Sequence, residues 1–234
     1  DGIVNEDDIS RIESIIAGDH PKLIFEDQLG VTVTVDTPVH SVAPLMFSPL
    51  QLVTQLGAVD KVVAMGNTVQ SMGNKSFVIM EHPDLIDLPK IGTTADPSTE
   101  AIIQAKPDLI LGTSHTSTEI SQLVSQNTGI PFAYFDCDES FDGENGAYEV
   151  WRKLGLLLGD AERNRAEELI QFCDEKTNMI GNKISLVTDE EKPRVYIAAS
   201  AKGDISITPK NYEPIHNAGG NNVAKGMSAN TILD

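Results

Sequence analysis

Cationic side chains are scarce: 17 lysines and arginines stand against 35 aspartates and glutamates in 234 residues, a net charge of −18. That imbalance argues against nucleic acid and anionic lipid surfaces as partners, because both are polyanions. Cysteine is nearly absent. Cys137 and Cys173 form neither a CxxC pair nor a metal-ligand spacing. Two thiols make no disulfide framework, so each is expected to act as a small buried hydrophobe. No apolar run reaches about 18 residues, which excludes a membrane-spanning helix within this sequence. No secretory leader pattern opens it, as in a mature secreted chain. The GxSxG, GxxxxGK[ST], HExxH and GxGxxG contexts are missing too, which removes the common hydrolase, phosphate-loop, zincin and dinucleotide signatures.

The most informative stretch is Ile91 to Thr113. A short β-like end, Leu88 to Ile91, leads to the loop Gly92-Thr93-Thr94 and a helix start at Asp96-Pro97-Ser98. The helix carries Ile102, Ile103 and Ala105 and stops before Pro107, since proline cannot continue a helix and disfavours helical geometry at the preceding residue. Leu109-Ile110-Leu111 then reads as a strand buried on both faces, running into Gly112-Thr113-Ser114. Similar units recur, with strands expected at 39–43, 61–65, 88–91, 108–112 and 131–135 and helices near 48–57, 97–105 and 117–126. The fold class is α/β, a parallel sheet with helices on both faces.

The wording of these units resembles the substrate-binding proteins of ABC importers for iron siderophores, haem and cobalamin, the type III periplasmic binding proteins. Ile91-Gly92 with the following helix and Lys106-Pro107-Asp108-Leu109-Ile110 is one marker. Asp27-Gln28-Leu29-Gly30-Val31 through Val35 is similar to the family's opening hairpin, and Val39 through Pro44 to its first core strand. Leu56-Gly57-Ala58-Val59-Asp60-Lys61, Leu154-Gly155 through Glu167, Lys192 through Tyr196, and Ala218-Gly219-Gly220-Asn221-Asn222 follow in the family's order.

The resemblance implies two lobes joined by a rigid helix. Four segments are expected: 1–25 preceding the binding protein, 26–158 as its first lobe, 159–190 as the connecting helix, and 191–234 as the start of a second lobe that looks incomplete. The connecting helix also follows from periodicity. Ala166, Leu169, Ile170, Cys173, Thr177, Ile180 and Ile184 recur at helical spacing, Asp160 can cap the run, and the helix would be roughly 40 Å long. A further strand is expected over 194–199 and a short helix over 212–219.

The first residues look like half of a dockerin or EF-hand calcium loop. With Gly2 at the sharp turn, Asp1, Asn5 and Asp8 fall on ligand positions, and Ile9, Ile12, Ile15 and Ile16 continue as a helix. An acidic helix start is the competing reading. The chain is expected to be cut at both ends, with the family's anchoring segment outside it.

Ligands of open parallel sheets lie beyond the carboxyl ends of the strands. That rule selects Met46 and Phe47, Asn67, Thr94 and His115 in the first lobe. His115 is the sharpest of these, since imidazole ligates iron, cobalt or zinc, though an exposed loop histidine is equally in keeping with its position. Archaeal members of the family carry a Lys-Gly and a Tyr-x-Pro segment in the second lobe, which implicates Lys202 and Tyr212 in meeting an anionic chelate. In cobalamin-binding relatives a glutamate on the helix after the Gly-containing loop docks to a permease arginine, and Glu100 matches it.

The expected function is the extracytoplasmic binding component of an ABC importer, carrying an iron chelate, haem or cobalamin. No catalytic residue and no required cofactor are expected. The partners are a membrane permease and a small-molecule chelate, with self-association through exposed strand edges of the second lobe. A calcium-dependent surface adhesion module is the alternative, and a chelatase-like enzyme the third reading. Tyr148 and Trp151 share helical spacing with Leu154 and are expected in the core.

Overall fold

The computed structural model describes residues 9–10, 14, 22–136, 141, 146–198, 207–208, 212–224 and 231–232. It divides into two compact units, residues 1–137 with 148–166 and residues 138–147 with 167–234. Each is described by itself.

The first unit opens with an antiparallel hairpin, β1 (Lys22–Glu26) against β2 (Thr32–Asp36). Residues 22–25, expected in the preceding segment, thus belong to the hairpin, because β2 needs them as its ladder partner. The central sheet has the order β3-β4-β5 and is parallel throughout, with β3 at Val42–Pro44, β4 at Leu109–Gly112 and β5 at Phe132–Tyr134. Every residue of the three strands is buried. Alternate side chains point to opposite faces of a strand, so burial of consecutive residues requires cover on both faces, and helices flank the sheet as expected. On one face Ala43, Leu45, Ile110, Phe132 and Tyr134 pack with Ile102 of α4 (Thr99–Ala105) and Val124 of α5 (Thr118–Thr128).

Two expected strands are not strands. Segments 61–65 and 88–91 form isolated bridges only, Val42 with Val62 and Met65 with Lys90. Their apolar runs are real, and Val62, Ala64, Met65 and Ile91 are buried. Pro89 removes a ladder donor beside one bridge, and Gly66 and Gly92 end both runs within a residue or two. Between them the chain makes an excursion that the sequence did not suggest, α2 (Asn67–Met72), α3 (Phe77–Glu81) and a 3-10 turn over Pro83–Asp87. Ser76 caps α3, its hydroxyl accepting the Ile79 N–H at 3.3 Å.

Helix α1 (Phe47–Gln55) follows β3, and α6 (Ala147–Leu158) follows β5. Trp151 and Tyr148 of α6 are buried, and the Trp151 indole N–H donates to Gln55 Oε1 at 2.9 Å. The next helix, α7 (Asp160–Ile184), has the expected length. Asp160 is not its cap but its first helical residue, paired with Arg163 at 3.3 Å. Lys61 fastens the start of α7: its ammonium lies 3.3 Å from Glu162 and donates to the carbonyls of Val39 and Leu158 at 3.2 and 2.7 Å.

The second unit contains the rest of α7. Short parallel strands β6 (Arg194–Val195) and β8 (Asn221–Asn222) pair, β7 (Ile207–Thr208) pairs antiparallel with β9 (Thr231–Ile232), and α8 (Glu213–Asn217) lies between in sequence. The strand expected over 194–199 is two residues long, because Arg194 and Ala198 are exposed and Val195 is only half-buried. Cys173 is half-buried and free, and burial with the neighbouring Asp174 charge raises its thiol. Cys137 lies outside the described residues.

Candidate site at the carboxyl ends of the parallel strands

Beyond β3, the Leu45 N–H donates to the Leu111 carbonyl at 2.8 Å, which carries the register of the sheet past its last paired residue. The Gly66 N–H donates to the Pro44 carbonyl at 3.0 Å. A Cβ on Gly66 would stand 2.0 Å from the Leu45 carbonyl oxygen, so the two segments meet backbone to backbone and only glycine fits.

Asn67 then ties this segment to the next. Its N–H donates to the Gly92 carbonyl at 2.8 Å, and its Oδ1 accepts the Gly92 N–H at 3.1 Å. Gly92 has φ 89°, and a Cβ there would fall 2.3 Å from the Asp96 carbonyl oxygen. The loop folds on itself: the Thr93 N–H donates to the Asp96 carbonyl at 3.0 Å and the Asp96 N–H to Thr93 Oγ1 at 3.1 Å. Thr94 lies half-buried in that closed loop. Ser98 then caps α4, accepting the Ala101 N–H at 3.3 Å, and Glu100 is exposed in the first helical turn.

After β4, buried Thr113 organises a turn. Its hydroxyl accepts the His115 N–H at 3.3 Å and shares a hydrogen bond with His115 Nδ1 at 3.2 Å. Nδ1 is thereby engaged and the exposed ring is oriented. Thr116 is fully buried, and its hydroxyl oxygen has no partner among the described residues. Ser117 caps α5. The Glu119 backbone N–H and the Ser117 hydroxyl hold the Glu119 carboxyl below the usual carboxylate range. After β5, Asp136 exchanges two hydrogen bonds with the side chain of Gln28, each at 2.5 Å.

The sheet thus brings the segments of Met46, Phe47, Asn67, Thr94 and His115 to one end of the first unit. Met46 precedes the first turn of α1 with no side-chain cap on it, and Phe47 is its first residue; both are half-buried. Asn67 is committed through its Oδ1 to holding Gly92. Tyr212 belongs to the second unit, half-buried at the N-cap of α8. Lys202, and Asp1, Asn5 and Asp8 of the expected calcium loop, lie outside the described residues. Among the described residues no cluster of His, Cys, Asp and Glu is positioned to hold a metal ion. Sequence reasoning overlooked Gly66, Gly92 and Gln28 as builders of this end. The glycines following short apolar runs were the available signal.

The periplasmic binding protein family profile matches residues 42–228. The molybdate-binding protein MolA of Haemophilus influenzae is 21% identical over 215 residues, 86% of this chain and 61% of MolA. Its molybdate-bound structure aligns with a TM-score of 0.73 at 17% identity, covering 91% of this chain and 69% of that one. The uncharacterized ABC transporter substrate-binding lipoprotein YvrC of Bacillus subtilis is 25% identical over 190 residues, 80% of this chain and 55% of YvrC. The heme-binding protein HmuT aligns with a TM-score of 0.60 at 17% identity, over 91% of this chain and 66% of that one. The chain therefore spans 61% and 55% of the two curated relatives, and the solved structures share its fold. With the profile extending over most of its length, the chain belongs to the periplasmic binding protein family.

Proposed function

We propose that this chain captures the cargo of an ABC importer on the extracytoplasmic side of the membrane, and that the cargo is an iron chelate such as a siderophore, or a related metal complex such as haem or cobalamin. The observation that supports this most is the construction of the strand-end rim. Four separate segments are locked there by backbone hydrogen bonds and two glycine contacts, so the site is preformed. Met46 and Phe47 offer apolar contact to the organic shell of a chelate. Thr94 and the hydroxyls around His115 offer hydrogen bonds, and His115 offers Nε2 to an open metal position. Lys202 and Tyr212 are the further residues proposed to meet an anionic chelate. Binding involves no bond chemistry, so the protein is not an enzyme. Glu100, exposed beside this rim, is the carboxylate proposed to meet an arginine of the permease.

A second reading has its own support. MolA binds molybdate, and the rim carries more hydroxyls than metal ligands, which suits an oxyanion.

One titration separates them. A thermal-shift series with a ferric hydroxamate siderophore, haem, cobalamin and molybdate should give a rise in melting temperature with one metal complex, since ligand bound to the native state stabilises it by mass action. The His115→Ala variant should weaken that complex about tenfold, while Glu100→Ala should bind it normally and fail in uptake. A shift with molybdate alone would transfer the site to the oxyanion reading. No shift with any of the four would sink both.

A further inference from the structure

The hairpin treats two strand edges differently. The outer edge of β5 is sealed by the β1–β2 turn: the Tyr134 N–H donates to Asp27 Oδ2 at 3.1 Å, and the Asp136 N–H to Gln28 Oε1. Among the described residues the outer edge of β2 has no such seal. The Asp27 N–H donates to the Val31 carbonyl, and the register pairs Glu26 with Thr32 and Phe25 with Val33. Hydrogen-bonded and non-bonded pairs alternate along an antiparallel ladder. Residues 31, 33 and 35 therefore turn their backbone groups toward β1, and Thr32 and Thr34 turn theirs away. Those four outward N–H and C=O groups have no partner among the described residues.

A groove of about 350 Å³ runs along this edge. Its lining includes consecutive residues Val31 to Thr34, although their side chains alternate between the two faces of the strand. Only a groove abutting the edge itself touches all four. Gln122 and Gln126 of α5 and Phe132 of β5 form other parts of its lining, and among the described residues no ionisable side chain contributes.

We propose that this groove takes an extended polypeptide segment, which adds as a strand to the open edge of β2. Three features define that segment. The outward groups of Thr32 and Thr34 repeat at a two-residue spacing, which another strand matches with its own backbone. The described lining has no charge to pair, so the central residues of the segment are uncharged; a buried unpaired charge would be strongly disfavoured. The net charge of −18 favours basic residues at its ends. The site lies where β5 begins, whereas the strand-end rim lies where β5 ends, and it stands independently of the importer reading.

The test uses the capped hexapeptide Lys-Thr-Val-Thr-Val-Lys and ¹⁵N amide spectra of the full chain. Up to about 1 mM peptide, the range of weak recognition, should move the Thr32 and Thr34 amides and slow their exchange with solvent. The Thr34→Pro variant removes one outward N–H and leaves the β1 ladder intact, since proline is tolerated where a strand's N–H faces away from its partner. It should bind about tenfold more weakly. Two further peptides, N-methylated on both threonines or on both valines, keep the test valid if Thr34→Pro misfolds: one of the two must lose binding. Undisturbed amides at the highest concentration would overturn the proposal, as would equal binding of both methylated peptides. Protection of Thr32 and Thr34 without peptide, growing with protein concentration, would assign the edge to a second copy of this chain and equally overturn it.

Discussion

Both units contain parallel strands, but they differ in how much those strands bury. In the first, Leu109, Ile110 and Leu111 are fully buried and the flanking strands are buried throughout. In the second, Arg194 and Asn221 are exposed and Val195 and Asn222 only half-buried. Helix α7 shows the contrast within one element. Glu162 and Ala166, in the first unit, are buried, whereas Phe172, Met179 and Ile180, in the second, are exposed, although Ile170 close to the boundary is buried too. Hydrophobic burial scales with area removed from water, so the first unit carries most of the stabilisation found among the described residues. A long apolar strand specifies its surroundings; a two-residue strand depends on whatever lies beside it.

The largest expected effect tests that contrast directly. Ile110→Ala removes a fully buried side chain from the middle of the sheet and should cost about 3–4 kcal/mol in urea unfolding, the transfer and cavity cost of such a truncation. Val195→Ala, half-buried in β6, should cost under about 1 kcal/mol. Equal costs would mean that the second unit is as firmly packed as the first.

Next in size is the fastening of α7 to the first unit. Lys61→Met leaves Glu162 unpaired at a side-chain exposure of 10% and strips two carbonyls of their donor. A loss of about 2 kcal/mol is expected, less than for a fully buried ion pair because water still reaches the site. Adding Glu162→Gln should recover part of it, since the charge left behind causes much of the loss. A double variant no more stable than Lys61→Met would assign the loss to the carbonyl bonds instead.

The legibility of this chain followed the same division. The triplet at 109–111 was readable because all three side chains are apolar and fully buried, and the long helix because its apolar residues recur at helical spacing with no proline to break it, although few of them are buried. The bridges at 62–65 and 90–91 misled, since their apolar runs are buried without a ladder. The α2–α3 excursion was invisible because its short helices, with Phe77 and Met80 exposed, carry little periodic signal. At the rim, the strand-end rule selected segments that lie at one end of the first unit's sheet. It could not reveal that Asn67 serves Gly92, which depends on a 25-residue separation in the chain closing to hydrogen-bond distance.

The smallest effect is a pH dependence that both units should show separately. In the first, its own backbone N–H and the Ser117 hydroxyl hold the Glu119 carboxyl below its ordinary range. In the second, Lys192 does the same to Asp189, and the Thr188 backbone N–H and hydroxyl do it to Glu191. A carboxyl with a depressed folded value stabilises above its unfolded value, and that stabilisation disappears as pH falls through the folded one. Wild type should therefore melt slightly above Glu119→Gln near neutral pH, and the gap should close on acidification below the ordinary carboxylate range of about 4. Asp189→Asn should do likewise for the second unit. Amide exchange, read residue by residue, distinguishes the two: Glu119→Gln should loosen α5 and leave the Thr188–Lys192 turn unchanged, and Asp189→Asn the reverse. If either substitution loosens both regions equally, the two units unfold as one cooperative body, and the difference in strand burial does not translate into a difference in local stability.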